Sequence, residues 1–325
     1  MRLKMLLLFF VSMNCWAQMS ERIGMISLVP YIPDDIEMDN DARRYLLDKL
    51  SQIATIGGLA GQGVDNRFII TANVRDISKT VTTTIPKKTA LRISFSLYIG
   101  DGIDGTLFAS ANKEVTGIGN EVDDAYISAI RKLPASDKAF VSCVNEGKNR
   151  IIDYYDRISE SVIASAKTLA AMGDSQGAIN KLFTIPMQCI GYEDAQALIA
   201  DISRQQIEKE NQQLLNNARA AWGASPNSQG AETAYEYLSS IQYPSSSISS
   251  GIKQLSLEMS NRLAEIDNQE WKHDMKIMQD RHEAELAQIE SKKQQSIAYI
   301  NAAASVARSY AANRPKVIYR IYHWW

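Results

Sequence analysis

Little in this chain of 325 residues equips it for metal or nucleophilic chemistry. It holds three histidines and three cysteines and has no P-loop, His-Glu-x-x-His or Cys-x-x-Cys pattern. The histidines, His273, His282 and His323, all fall near the carboxyl end. Nine residues separate His273 from His282, so on a helix they face opposite ways, which excludes a two-histidine metal site on one face. A dominant charge of one sign is missing too. With 35 basic and 37 acidic residues the formal charge is −2, which gives neither the basic footprint of a nucleic-acid binder nor a supercharged tail. No apolar run approaches the ~20 residues that a membrane-spanning helix needs. No cofactor, catalytic residue or metal ligand is expected.

The opening, MRLKMLLLFFVSMNCWAQ, places Arg2 and Lys4 before an apolar run from Met5 to Met13, with Ala17 beyond it. That order is the order of a secretory signal peptide over residues 1–17, cleaved before Gln18. Cys15 raises a lipoprotein alternative, but Ser12, Met13 and Asn14 depart from the Leu-small-small pattern, and simple secretion is the reading. Cleavage takes Arg2 and Lys4 from the 35 basic residues and no acid from the 37, leaving a formal charge of −4. It leaves Cys143 and Cys189 as the only cysteines, either a disulfide formed in an oxidising compartment or two buried free thiols.

Residues 18–134 read as a small mixed α/β sandwich. RIGMISLVPYI (22–32) is a buried strand, and Asp39 or Asn40 caps a helix that carries Ala42, Leu46, Leu50 and Ile53 on one face until Gly57-Gly58. Residues 68–85 are β-branched and too long for one flat strand, so they twist or bulge. In the next run Leu91, Ile93, Phe95, Leu97 and Ile99 face one way, and Arg92, Ser94, Ser96 and Tyr98 face the other, the pattern of a half-buried strand. Leu107, Ala109 and Ala111 continue the alternation. Asn120 then caps a helix with Val122, Ala125, Tyr126, Ala129, Ile130 and Leu133 inward, and Pro134 ends the domain.

Gly100, Gly102 and Gly105 spell a literal G-x-G-x-x-G within YIGDGIDGTLF. A dinucleotide fingerprint needs a strand before it and a helix after it. Here the glycines lie between two alternating segments, where Gly and Asp supply the positive φ of a hairpin turn. Gly58, Gly61 and Gly63 follow a helix and precede a strand, again the wrong order. Asp101 and Asp104 could hold a cation, although two carboxylates in a turn are common without one.

D-x-x-D-G-T-L-F-A-S followed by V-T-G-I-G-N-E-V-D-D-A-Y-I-S-A-I-R-K-L resembles a bacterial envelope superfamily. This superfamily includes the curli-pore protein CsgG, the amino-terminal domain of TolB and the penicillin-binding-protein activators of the LpoB type. Asp101 or Asp104 with Gly105, then Gly117 and Gly119, then Ala125 and Ala129 occupy the places of its motifs. The resemblance implies a binding or assembly module of the envelope rather than a catalyst.

Residues 135–250 read as helical hairpins. Ser175-Gln176-Gly177-Ala178 recurs 53 residues later as Ser228-Gln229-Gly230-Ala231, each time after an Ala-rich helix and before a closing proline, Pro186 or Pro244. This resembles a tetratricopeptide-like hairpin used twice, a type that stacks into protein-binding surfaces. A plain helical bundle is the alternative. PSSSISSG (244–251) is a joint or a helix start. Residues 251–312 then read as one long helix with a stripe through Trp271, Met275, Met278, His282, Leu286, Ile289, Lys293, Ile297, Ile300 and Ala304. The steps follow an eleven-residue repeat, which implies a straight or gently right-handed bundle. Such a narrow stripe must lie on the rest of the chain, on another copy or on a partner. The tail, 313–325, is an aromatic strand whose Tyr319, Tyr322, Trp324 and Trp325 either dock on their own fold or anchor a partner or a membrane.

The expectation is therefore an α+β chain acting as a non-catalytic secreted or periplasmic protein-interaction or scaffold protein of the cell envelope. It would have a protein partner there, form a homo-oligomer through the long helix and bind no nucleic acid. The interaction residues would be Met275, Met278, Leu286, Ile289, Ile297, Ile300 and the tail aromatics. The alternative is a component of a membrane-associated secretion or surface assembly, with outer-membrane association and peripheral membrane contact. A carboxylate-dependent enzyme remains a further alternative, since paired acids leave no sequence motif.

Overall fold

In the computed structural model residues 25–34, 36, 38–60, 66–83, 85–266, 296–305, 319–321, 323 and 324 are described. The chain is of the α+β class. Its residues divide into two units. One takes Met1–Ser165, Asn180–Glu193 and Ala307–Trp325, and the other takes Ala166–Ile179 and Asp194–Val306.

The first unit is a sheet with helices on one face. Strands β1 (Val29–Pro30), β2 (Phe68–Val81), β3 (Thr89–Asp101) and β4 (Thr106–Gly119) lie in that order, β1 parallel to β2 and the others antiparallel. Of the strand expected over 22–32, only Val29 and Pro30 pair with a neighbour, although Ile26, Leu28 and Ile32 are buried around them. Helix α1 (Asn40–Ile56) is capped by Asp39, whose carboxylate accepts from the backbone of Asp41 and Ala42, and it buries Ala42, Leu46, Leu50 and Ile53. The chain leaves it through Gly58 at φ +70°. The long β2 does bulge, with its register shifting between Asp76 and Ser78.

Helix α2 (Val122–Lys132) starts one residue later than expected, at Glu121, which makes no side-chain cap bond. It buries Ala125, Ala129 and Ile130. Its backbone lies directly on β4: a Cβ on Gly117 would fall 2.5 Å from the nitrogen of Ala129, and one on Gly119 would fall 2.4 Å from that of Ala125. Both glycines are thus places where a second backbone comes too close for any side chain.

Pro134 does not end this unit. Helix α3 (Lys138–Ala171) follows it, and Phe140, Cys143, Val144, Ile151 and Tyr155 are buried. The Phe140 ring meets Phe95 edge-on at 5.4 Å, and Gly147 lies on Ile99. The apolar face of β3 needs this cover, because α1 and α2 do not span the whole of it.

In the second unit, helices α5 (Tyr192–Ala224), α6 (Ser228–Ser239) and α7 (Ser246–Ile266) enclose a core of Leu215, Ala218, Trp222, Ala231, Leu238, Ile248, Ile252, Leu255, Met259 and Leu263. The repeated Ser-Gln-Gly-Ala has one physical role at both sites, opening α4 (Ser175–Leu182) and α6. Asp174 accepts from the backbone N–H of Gly177, and Asn227 from that of Gly230. Any Cβ at Gly177 would overlap the capping carboxylate. PSSSISSG is a helix start, with Ser245 Oγ accepting from Ile248 N–H.

Of the helix expected across 251–312, residues 251–266 and 296–305 are helical, and the remainder lies outside the described residues. The apolar face of α7 is packed in the core just described, so its residues form no free rod. A further helical stretch covers 296–305, while Trp271, Met275, Met278, Leu286 and Ile289 lie outside the described residues.

Candidate interaction site

β3 and β4 form a hairpin closed by Gly102–Gly105, and a buried ion cluster organises the turn. Asp101 Oδ1 accepts from the backbone N–H groups of Ile103 and Asp104 at 2.9 and 3.0 Å. Its Oδ2 accepts from Arg67 Nε at 2.6 Å, and a second nitrogen of the same guanidinium reaches Asp104 Oδ2 at 2.6 Å. Arg67 therefore stands where a cation could have stood between Asp101 and Asp104. Burial pushes the Asp101 carboxyl above the usual aspartate range, against the pull of Arg67 and the Asp104 backbone hydrogen bond.

Only Gly105 among the three turn glycines has a positive φ, +79°. Gly100 and Gly102 are glycine for another reason: a Cβ on the first would lie 2.5 Å from the Trp324 ring, and on the second 2.3 Å from the Tyr319 ring. Tyr319, Ile321 and Trp324 form one cluster with Ile69 and Tyr98, joined by Val29 and Tyr31. Trp324 Nε1 donates to the Gly105 carbonyl at 2.9 Å, and Arg320 N–H donates to the Gly102 carbonyl at 2.6 Å. Tyr319 and Trp324 are thus internal packing residues rather than an external anchor; Tyr322 and Trp325 lie outside the described residues.

Beside the turn, β4 and α3 enclose an open groove of about 650 Å³. Thr106, Leu107 and Phe108 form one wall. Arg150, Asp153, Tyr154 and Arg157, which share a face of α3 by their spacing, form the other together with Asp156. The Phe108 and Tyr154 rings meet edge-on at 5.6 Å in the groove. Arg150 donates to the Phe108 carbonyl at 3.0 Å and also pairs with Glu146. Asp156 accepts from Ile190 N–H at 2.8 Å, so part of this wall is held by a neighbouring segment of the same unit. The lining offers two guanidiniums, two carboxylates and the half-buried Tyr154 ring backed by the buried Phe108, a set that suits a polypeptide better than a small apolar ligand. A second hollow, about 450 Å³, is lined by Asp39, Asp76, Asp123 and Tyr126. Burial, followed by the Asp76 charge, raises the Tyr126 hydroxyl there.

Cys143 and Cys189 are both buried and both free, the second of the two alternatives that the sequence left open. Cys189 Sγ lies 3.8 Å from the carbonyl of Ile152. Ile152 is nine residues along α3 from Cys143, roughly 13 Å of helix rise, which is beyond disulfide reach. Burial is the main cause that pushes both thiols up to about 12, with Glu146 adding at Cys143 and Asp156 at Cys189. Of the expected stripe, Ile297 is exposed, Ile300 half-buried and Ala304 buried.

Arg67, Phe108, Arg150, Asp153, Tyr154 and Arg157 were not singled out by the sequence. The run RIIDYYDR places Arg150, Asp153, Tyr154 and Arg157 on one helix face, and that spacing was the available signal. Among the described residues no group of His, Cys, Asp and Glu could hold a metal, and no helix is long and apolar enough to cross a membrane. No family model, curated protein or solved structure matches this chain.

Proposed function

We propose that this chain is a non-catalytic protein-interaction or scaffold protein of the cell envelope, secreted or periplasmic, and that it binds a polypeptide in the groove between β4 and α3. The observation that supports this reading is the lining itself. Exposed Leu107 and the aromatic pair Phe108 and Tyr154 sit among Arg150, Arg157 and Asp153 in an open trough, the mixture of aromatics and arginine that protein interfaces favour. The envelope assignment rests on Arg2, Lys4 and the short apolar run, and on the resemblance carried by Gly105, Gly117, Gly119, Ala125 and Ala129. Association of copies through the stripe at Met275, Met278, Leu286, Ile289, Ile297 and Ile300 belongs to the same proposal. The membrane-assembly reading draws on the aromatic tail and the long helix, and of the tail residues Tyr319 and Trp324 are packed on their own sheet.

The test is a photo-crosslinking side chain at Leu107 or Arg157 in the full chain, expressed in its native cell with fractionation. A discrete adduct in the envelope or secreted fraction, lost on Tyr154→Ala, is the expected result. Absence of an adduct at both positions, or recovery of the protein in the cytosol, overturns the reading.

A further inference from the structure

Among the described residues β4 is the last strand of the sheet and pairs with β3 alone. Its outer edge is closed at both ends by side chains. Arg150 donates to the Phe108 carbonyl at one end; at the other, Ser128 Oγ accepts from Ile118 N–H and Lys132 Nζ donates to the Thr116 carbonyl. In an antiparallel pair, alternate residues direct both backbone groups away from the neighbouring strand. Since 116 and 118 point outward, so do Ser110, Asn112 and Glu114. All three are exposed, and their outward N–H and C=O groups have no partner among the described residues. A strand edge of this kind is a template for another strand.

We infer that the occupant is a second copy of β4, paired antiparallel about a two-fold axis through Asn112. The open stretch is its own complement. With Asn112 opposite the second copy's Asn112, Ser110 faces Glu114 and Glu114 faces Ser110, so the three outward residues of each strand meet the three of the other as hydrogen-bonded pairs. A shift by two residues in either direction meets a carbonyl already taken, that of Phe108 by Arg150 or that of Thr116 by Lys132. A shift by one turns the outward groups away from each other. Along the strands Lys113 falls opposite Ala111 and Glu114 opposite Ser110, so no strand charges are directly opposed, and Arg150 at Phe108 with the second copy's Lys132 at its Thr116 limits the paired stretch at each end. The two sheets become one continuous sheet with the two-fold symmetry usual for homodimers. In this register residues 116–118 of the second copy lie beside Thr106–Phe108, the strand wall of the groove, so the two sites adjoin.

Residue 112 faces itself across the axis, and that gives the test. Full-length Asn112→Lys and Asn112→Asp should each show half the wild-type mass by light scattering, and an equal mixture of the two should return to the wild-type mass. Because Asn112 also donates to Ser94 and Ser96, a second measurement uses the wild type alone. In residue-resolved hydrogen exchange, the amides of Ser110, Asn112 and Glu114 should slow as protein concentration rises while exposed amides elsewhere do not. A monomeric wild type, variants that keep the wild-type mass, a mixture that fails to recover it, or exchange at these amides independent of concentration overturns the inference.

Discussion

Trp324 donates its indole N–H to the carbonyl of Gly105 at 2.9 Å, across 219 residues of sequence. The ring is almost wholly buried over Ile69 and Tyr98. Trp324→Ala should therefore destabilise the first unit by about 3–5 kcal/mol, the range for a buried aromatic. Chemical denaturation followed through residues of the sheet would measure it. A loss below about 1 kcal/mol would show that the tail is only laid on the surface.

Arg67 is the counter-charge of a carboxylate with no exposed side-chain surface. Arg67→Met leaves Asp101 buried and unpaired, a change worth about 3–5 kcal/mol in comparable cases. Burial already raises the Asp101 pKa, and an acid whose folded pKa lies above its unfolded one gains stability as pH falls. The deficit of the variant should accordingly shrink as pH is lowered from neutral through the raised Asp101 range. Urea midpoints of both proteins across that window would show the convergence.

Asp137 has the opposite sign. Lys113 Nζ at 2.7 Å, followed by the Ala139 backbone N–H, holds its carboxyl below the ordinary range. A carboxylate lowered in this way contributes stability above its unfolded pKa, and the contribution is lost as pH falls through the folded value. Asp137→Asn should lower the urea midpoint at neutral pH and make little difference in strong acid.

Cys143 and Cys189, with thiols pushed up to about 12, hold almost no thiolate at mildly alkaline pH. Iodoacetamide should leave both unmodified in the folded protein and modify both after unfolding without any reductant. Peptide mapping reads this directly, and protection that persists in denaturant until reductant is added would reveal a bridge.

Gly117→Ala places a methyl group against the α2 backbone at Ala125 and Ala129. Overpacking of this kind costs about 1–3 kcal/mol or more. The melting temperature should fall, and Ala125→Gly should not rescue it because the clash is with main-chain atoms.

What was legible in the sequence was local. The period of Ala42, Leu46, Leu50 and Ile53 and the Asp39 cap define α1 without reference to anything distant. The alternation of Leu91 to Ile99 likewise gave the inner face of β3. Gly117 and Gly119 are motif positions in the sequence, and in the fold they lie against Ala125 and Ala129 of the same motif. The other face of β3 departs from its pattern: Ser96 and Tyr98 alternate as solvent-facing residues and yet are buried. The residues packed with Tyr98 include Ile321 and Trp324, and no local pattern reports a contact at that separation. The same holds for Arg67 with Asp101, and for Gly100 and Gly102, whose smallness answers to rings at the far end of the chain. The groove was missed because its two walls come from different elements, each of which alone reads as an ordinary solvated face.

The order in which the chain is made gives the returning tail a further meaning. Everything else in the first unit has been synthesised by residue 193, but the cover for Ile69 and Tyr98 arrives only with residues 319–324. A nascent or prematurely ended chain would carry a nearly finished sheet with an uncovered apolar patch and a turn whose Gly105 carbonyl lacks its indole donor. A chain interrupted before residue 319 would therefore expose apolar surface of the kind that makes partly folded species prone to aggregation.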